Sequence, residues 1–549
     1  MAAHRRRRTL LAALLALAGP SILPGCRTGD PVDATAAATA GSGAVATIPS
    51  TEPPPAGGGT GPAPDGAPDH GTDAVLDPPV APLEWRGCGD GFECATLEVP
   101  WDGGIAAAEP TAPGRSMQLP VIRLPHRGGG APLGSVVLNP GGPGASGVRF
   151  LRAAAGAPAL VELNQRFDLV GFDPRGVGGA VPALRCRDDL DDGIDVLGPG
   201  GTPPDTFRDE LLAFHRRCAG DNAELVAVLG TDYAAADLDH LRAALGDERL
   251  TYLGFSYGTR LGAAYAERFP ARMRALALDG ADVSAEEYLD SIAAQYVAFD
   301  DAFERFAATC PDDDDGGRCA TSDAGGAAAA FRSVQAALSG GSLPTDEAGR
   351  RLTAGELYLG AAAALYDRSS WPALDAALDA AAGGDGSGLQ TLADSLLDRR
   401  PDGTYANLFD ANIAVNCADT PQRPTFDEAL ERGAALAATL RWFGPLAGTA
   451  YVDCVEWPAP APVADVAEAG APAPIGDRPP VLVVGTTGDT ATPYAWAQRL
   501  AASLPTGVLL TRVGEGHTAY FASDCTAALI NDYLIDPAGF PLRPPTCDG

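Results

Sequence analysis

Positive charge is scarce in this 549-residue chain, which holds no lysine at all and sets 39 arginines against 71 acidic residues, for a formal net charge of −32. With that net charge a polyanion is repelled overall, so nucleic acid is not an expected partner. The acid excess reads as a solvated surface, and the missing lysine as genomic base composition. Histidine is also rare, with six in all, and no two cysteines stand in C-x-x-C spacing. No metal centre and no cofactor are therefore expected. The N-terminal apolar run, Leu10 to Ala18, is too short to span a bilayer as a mature helix.

That run follows Arg5 to Arg8 and precedes Leu23-Pro24-Gly25-Cys26, so residues 1–26 read as the charged, apolar and cleavage regions of an export signal. Leu23-x-Gly25-Cys26 resembles a bacterial lipobox, which implies a lipidated Cys26 holding the mature chain on a membrane. Pro24 departs from the residue type usual in that motif. Arg7-Arg8-Thr9-Leu10-Leu11 also resembles a twin-arginine signal, leaving the export route open. From residue 27 to about residue 80 the chain is Ala, Gly, Pro and Thr with little to bury, and a disordered tether is expected. Setting Cys26 aside, ten of the eleven cysteines remain. In an exported chain this suggests five disulfides, and local spacing favours Cys88–Cys94, Cys186–Cys218, Cys310–Cys319, Cys417–Cys454 and Cys525–Cys547. The run Asp312 to Asp315 reads as a solvated loop in preference to a calcium site.

Strand-like apolar runs occur near 95–99, 117–124, 134–138, 167–172, 250–255, 275–278, 481–485 and 508–513, with helical patterns between most of the later ones. Eight such runs predict an α/β fold, an eight-stranded, mostly parallel sheet with an antiparallel start. The core is expected over 81–281 and 478–549. About two hundred residues, 282–477, separate the sixth and seventh runs, too many for a loop, so they should form a mainly helical cap. Segments 354–366 and 426–440 read as two of its helices.

Gly254-Phe255-Ser256-Tyr257-Gly258 lies between the run 250–253 and a helix-like stretch, which is the setting of a nucleophile elbow. A serine on a sharp strand-to-helix turn presents its hydroxyl above the sheet, and the helix aims its positive end at developing negative charge. Only one histidine follows it, His517. Between them a strand-like run ends in Gly488-Asp489, and the order Ser256, Asp489, His517 is that of α/β-hydrolase triads. Asp279, at the end of another run, is the rival acid and is read as a structural turn residue. Thr492 can support the acid loop or cap a helix before Pro493.

The loop Asn139-Pro140-Gly141-Gly142-Pro143-Gly144-Ala145-Ser146-Gly147 contains G-x-G-x-x-G, with Glu162 about twenty residues on, and so formally matches a dinucleotide site. An exported chain has little use for a diffusible nicotinamide. The same loop fits an oxyanion hole, with backbone N–H groups from Gly142 and from Tyr257 as donors, since Pro143 has none.

Together the 139–147 loop, Gly171-Phe172-Asp173-Pro174-Arg175-Gly176, the elbow, Gly488-Asp489 with Thr492-Pro493, and Gly516-His517-Thr518 resemble the secreted tripeptidyl aminopeptidase family, related to proline iminopeptidases among the α/β-hydrolases. The likeness runs from about Trp85 to Cys547. It implies acyl-bond hydrolysis through an acyl-enzyme, with peptides bearing free N-termini as substrates. A carboxylate must then pair with the substrate's ammonium, and Asp419 and Glu456, each near a cysteine, are the candidates. Arg175 reads as a structural ion pair. A carboxylesterase or endopeptidase on the same scaffold, and a lipoprotein that only binds ligands, are the alternatives. Oligomeric state is not legible.

Overall fold

The computed structural model describes residues 80–104, 115–186, 206–282, 288–309, 319–458 and 478–548. The export signal, the lipobox cysteine, the tether and the run Asp312 to Asp315 lie outside the described residues, as does Cys310.

One sheet organises the core. Its strands are β1 (Arg86–Gly87), β2 (Glu93–Pro100), β3 (Ser116–Leu124), β4 (Ser135–Asn139), β5 (Asp168–Phe172), β6 (Leu250–Phe255), β7 (Met273–Asp279), β8 (Val481–Gly488), β9 (Gly507–Glu515) and β10 (Cys547–Asp548). Spatial order is β1-β2-β3-β5-β4-β6-β7-β8-β9-β10. The pairs from β1 through β3 to β5 are antiparallel and all later ones parallel. Central strands covered on both faces read as unbroken apolar runs, and every residue of β4 and of β6 is buried. β9, nearer an edge, alternates buried and half-buried positions over most of its length.

The expected count of eight strands requires correction to ten. The eight long strands are those the apolar runs mark, and a two-residue strand is added at each edge. β1 pairs Arg86 with Cys94, close to the Cys88–Cys94 disulfide, and β10 pairs Cys547 with Arg512 while Cys547 is bridged to Cys525. Pieces so short carry no periodicity for a sequence to show. Cys186–Cys218 and Cys417–Cys454 are also formed. These bridges place the chain in an oxidising, extracytoplasmic compartment. Among the described residues, no helix is long and apolar enough to cross a membrane.

The helices that position the site are α1 (Gly147–Ala154), α2 (Thr231–Leu245), α3 (Tyr257–Arg268), α4 (Tyr288–Ala308), α5 (Ala354–Leu365), α6 (Leu408–Asp419), α7 (Phe426–Ala437), α8 (Tyr494–Ser503) and α9 (Asp524–Ile535). From α4 onward the insertion between β7 and β8 builds its own apolar cluster around Phe303, Phe306, Phe331, Leu357, Trp371 and Trp442. Thr353 and Glu356 close a capping box at the start of α5, and Thr425 and Glu428 do the same for α7. α6 differs from its neighbours in the insertion: its Ala414, Val415 and Cys417 pack into the core cluster of the sheet.

The chain reverses direction across the sheet at β4, which lies between β5 and β6. Loops leaving the carboxyl ends of β4 and β6 therefore face one crevice, the place where open α/β sheets bind ligands. The register pairs Asn139 with Gly254, Phe255 with Asp279, and Asp279 with Val484. The glycine loop, the serine turn and the acid loop thus leave the sheet side by side.

Candidate active site

Ser256 terminates β6 with φ 55° and ψ −126°, and α3 begins at the next residue. A positive φ is strained for any residue but glycine, and it persists only where surroundings over-determine it. Here the Ser256 N–H donates to the Asp279 carbonyl at 2.9 Å, and the Ser256 carbonyl accepts from the Thr259 N–H at 2.8 Å and the Thr259 hydroxyl at 2.6 Å. Close packing demands the flanking glycine: a Cβ at Gly258 would lie 2.8 Å from the Asn139 carbonyl oxygen.

Asp489 and His517 come from the loops after β8 and β9, and both side chains are almost wholly buried. His517 Nδ1 lies 2.9 Å and 3.2 Å from the two Asp489 carboxylate oxygens. The carboxylate is itself fixed, accepting from the Ala491, Thr492 and Thr518 N–H groups at 2.8–3.1 Å. The Thr492 hydroxyl approaches His517 Nδ1 at 3.2 Å, and α8 has Pro493 at its cap, so the threonine side chain serves the acid–imidazole pair and not the helix end. With Nδ1 engaged, the second ring nitrogen, Nε2, is buried without a hydrogen-bond partner. In a neutral imidazole that donates through Nδ1, Nε2 carries the lone pair. Ser256 Oγ and His517 Nε2 form no hydrogen bond with each other.

Asp279 has a different task. It is fully buried, and its carboxylate accepts from the Ala519 N–H (2.9 and 3.0 Å) and the Tyr520 N–H (2.8 Å), pinning the turn after His517. Burial pushes its carboxyl up to about 6, opposed by those two amides. The adjoining Gly280 has φ +71°, and a Cβ there would meet His517 Cε1 and Thr492 Oγ1, each at 3.2 Å. The Asp279–Gly280 turn therefore lies directly between the serine and histidine loops.

The glycine loop packs against the elbow. A Cβ on Gly141 would stand 3.0 Å from both the Tyr257 nitrogen and the Ser256 Cβ. The Gly141 N–H is consumed by Asn139 Oδ1 at 2.9 Å, whereas those of Gly142 and Tyr257 find no acceptor among the described residues. Two backbone amides without an acceptor near a serine are groups that can receive a developing oxyanion. Of the G-x-G-x-x-G reading, only the helix start remains: α1 begins at Gly147, capped by the Ser146 hydroxyl, which accepts the Arg149 N–H. Glu162 stands on the short helix Pro158–Leu163, where it pairs with Asn531 at 3.4 Å.

Asp419 ends α6 and is buried beside the elbow. It accepts from the Thr231 N–H (2.6 Å) and hydroxyl (2.5 Å), and Thr231 Oγ1 is 2.7 Å from the Tyr257 phenol. Arg260, one turn after Ser256, divides its guanidinium between Asp419 (3.4 Å) and Asp282 (2.7 Å). Burial pushes the Asp419 carboxyl up, with Arg260 and Thr231 pulling it down. Glu456 is not brought to this group: it is exposed, with φ 53°, and makes no hydrogen bond within the described chain. Arg175 forms a buried bidentate pair with Asp237, 2.6 and 2.7 Å, and also donates to the Trp101 and Val228 carbonyls.

Thr231, Arg260, Asp282 and Tyr366 escape sequence reasoning. Arg260 alone leaves a trace, because its i+4 spacing from Ser256 puts both on one side of the turn. The others arrive by tertiary contact.

Similarity to known proteins follows the same chemistry. Residues 134–316 match a family described as alpha/beta hydrolase fold, and residues 439–539 match one described as TAP-like protein. The serine protease Hip1 of Mycobacterium tuberculosis H37Rv is 35% identical over 488 residues, spanning 83% of this chain and 89% of that one. Carboxylesterase B of the same organism is 35% identical over 496 residues, spanning 84% and 89%. The tripeptidyl aminopeptidase of Streptomyces coelicolor is 34% identical over 214 residues, 36% of this chain and 38% of its own.

Proposed function

The chain belongs to the TAP-like α/β-hydrolase family and is a serine hydrolase, and from that premise we propose that it is an exported aminopeptidase releasing short peptides, tripeptides among them, from free N-termini. In this reading His517 Nε2 takes the Ser256 proton as Oγ attacks the acyl carbonyl. Asp489 holds the imidazole through Nδ1 and stabilises its protonated form, and the Gly142 and Tyr257 N–H groups receive the oxyanion. The amine leaves with the proton, and water repeats the cycle on the acyl-enzyme.

One observation carries the reading past hydrolysis in general. Two carboxylates, Asp419 and Asp282, share the single guanidinium of Arg260 beside the residue that follows the nucleophile. Asp419 is a carboxylate with its side chain buried beside the elbow, and such a group is a fitting partner for the ammonium of a substrate's free N-terminus. The chain's similarity to a carboxylesterase at the same identity as to a protease keeps an esterase as the second reading. Lipidation of Cys26 and membrane attachment complete the proposal, and mass spectrometry of the mature N-terminus tests them.

The substrate test is a panel of di- and tripeptide amides, free or N-acetylated, beside short acyl esters. Acetylation removes the ammonium, and losing one partner of a buried charge pair costs roughly 3–5 kcal/mol, so blocked peptides should turn over at least about 100-fold more slowly. Asp419→Asn should lower turnover of free peptides and shrink that gap. Equal turnover of blocked and free peptides decides for an endopeptidase, and turnover of esters alone for an esterase.

A further inference from the structure

A helix from the insertion carries a polar stripe where an apolar one would be the ordinary way to pack. Asn412, Asn416 and Asp419 recur on α6 at i, i+4 and i+7, a single face on which Asn416 is buried and the other two are half-buried, while Ala411, Ala414 and Val415 are among its buried apolar positions. Burying amides and a carboxylate is unfavourable unless each finds a partner, and here each does.

The partners form one chain of bonds. Asn412 Nδ2 donates to the Pro143 carbonyl at 3.2 Å, on the loop immediately after Gly142. Asn416 Nδ2 donates to Asn412 Oδ1 at 3.1 Å, and Arg260 Nη1 donates to Asn416 Oδ1 at 3.1 Å. Arg260 continues to Asp419, Asp419 to Thr231, and Thr231 Oγ1 to the Tyr257 phenol at 2.7 Å. The two ends of this chain are the two backbone segments whose N–H groups stand unpaired beside Ser256.

α6 is itself held fast. Before its first turn, Asn407 accepts the Gly178 N–H at 2.9 Å and donates to the Gly176 and Leu184 carbonyls at 2.8 and 2.9 Å. Asp410 accepts the Cys186 N–H at 2.9 Å, and Cys417 near the far end is bridged to Cys454. Gly144 lies so close that a Cβ there would collide with the Leu408 carbonyl oxygen. A helix fixed at both ends and bonded to both donor segments sets their separation.

We propose that Asn412 and Asn416 are positioning residues that hold the Gly142 loop in register with the Tyr257 amide, so that the oxyanion pocket is assembled by the insertion and not by the sheet alone. This rests on the hydrolase reading above. It accounts for a polar face that packing would not select, and for α6 joining the core cluster while α5 packs into a separate one.

The test compares the full chain with Asn412→Leu, Asn416→Leu and Asn412→Gln, measuring kcat and KM on one substrate of the panel and inhibition by a matched peptide boronate, which imitates the tetrahedral intermediate. A displacement near 1 Å can cost about 10²-fold, so the leucine variants should lose roughly 10- to 100-fold in kcat. Boronate affinity should fall by a similar factor, KM should stay within about twofold, and Asn412→Gln, which keeps an amide, should recover part of the loss. Thermal unfolding checks that each variant folds, and if a leucine variant does not, Asn412→Ser breaks the same bond with less apolar bulk. Unchanged kcat, or a raised KM with kcat intact, overturns the proposal. A parent chain that neither turns over the panel nor binds the boronate overturns it together with the hydrolase reading, whereas an active parent with unaffected variants overturns this inference alone.

Discussion

The backbone N–H of His517 donates to the carbonyl of Tyr366 at 2.7 Å, and the two rings meet edge to face with centroids 5.2 Å apart. His517 belongs to the sheet's last loops and Tyr366 to the end of α5 in the insertion. Gln295 on α4 makes a parallel link, its amide donating to the Ala491 carbonyl in the acid loop at 2.8 Å, and Arg305 pairs with Glu515. The insertion thus grips both loops that carry the acid and the base.

Truncating the ring should loosen that grip. Tyr366→Ala is expected to lower kcat by about tenfold, while Tyr366→Phe stays within about twofold because ring and backbone contacts persist. Steady-state kinetics beside near-ultraviolet circular dichroism checks this. Equal activity of Tyr366→Ala and the parent would show the contact to be incidental.

The two buried acids should separate cleanly. Asp489→Asn removes the charge that orients His517 and should cost about 10⁴ in kcat, as loss of a triad acid does elsewhere. Asp279→Asn keeps an acceptor for the Ala519 and Tyr520 amides and should stay within about tenfold of the parent. If Asp279→Asn is inactive and Asp489→Asn active, the roles are exchanged.

Asp279 also sets a pH dependence of stability. Burial raises its folded carboxyl to about 6, above the value near 4 of an unfolded aspartate, so the folded state holds this proton more tightly. Its contribution to stability is full below about pH 4 and is lost as pH rises through about 6. Urea unfolding of the parent and Asp279→Asn across pH 4–7 should show the difference between them moving toward the variant as pH rises. A difference independent of pH would remove this account of Asp279.

Arg175 and Asp237 should matter for stability and little for chemistry. Both are almost completely buried, and removing one partner strands the other, at about 3–5 kcal/mol. Asp237→Ala should therefore lower the urea midpoint strongly, with residual folded enzyme retaining its kcat. A fall in kcat at unchanged stability would give Arg175 a direct part in the site.

Much of this framework is legible in the amino-acid order because its signals are local. Strands covered on both faces must be apolar throughout, and the expected 250–255 coincides with β6 end to end. The serine turn, the acid at the end of β8 and the single downstream histidine need only chain order and spacing. What escapes is set by contacts across long separations: Thr231 meets Asp419, and Asn412 meets Pro143, with no motif at either position. The edge strands β1 and β10 escape for another reason, since two residues pinned beside a disulfide have no period. Glu456 illustrates the limit of inference from a neighbouring cysteine: Cys454 is buried in its bridge, yet two residues on the side chain is exposed.

The central claim is that Ser256 is the nucleophile activated by His517, and covalent labelling tests it most directly. A fluorophosphonate probe followed by peptide mapping should modify Ser256 alone. The label should vanish in Ser256→Ala and form at least about 10³-fold more slowly in His517→Ala. Labelling at another serine, or undiminished labelling of Ser256→Ala, would contradict the account.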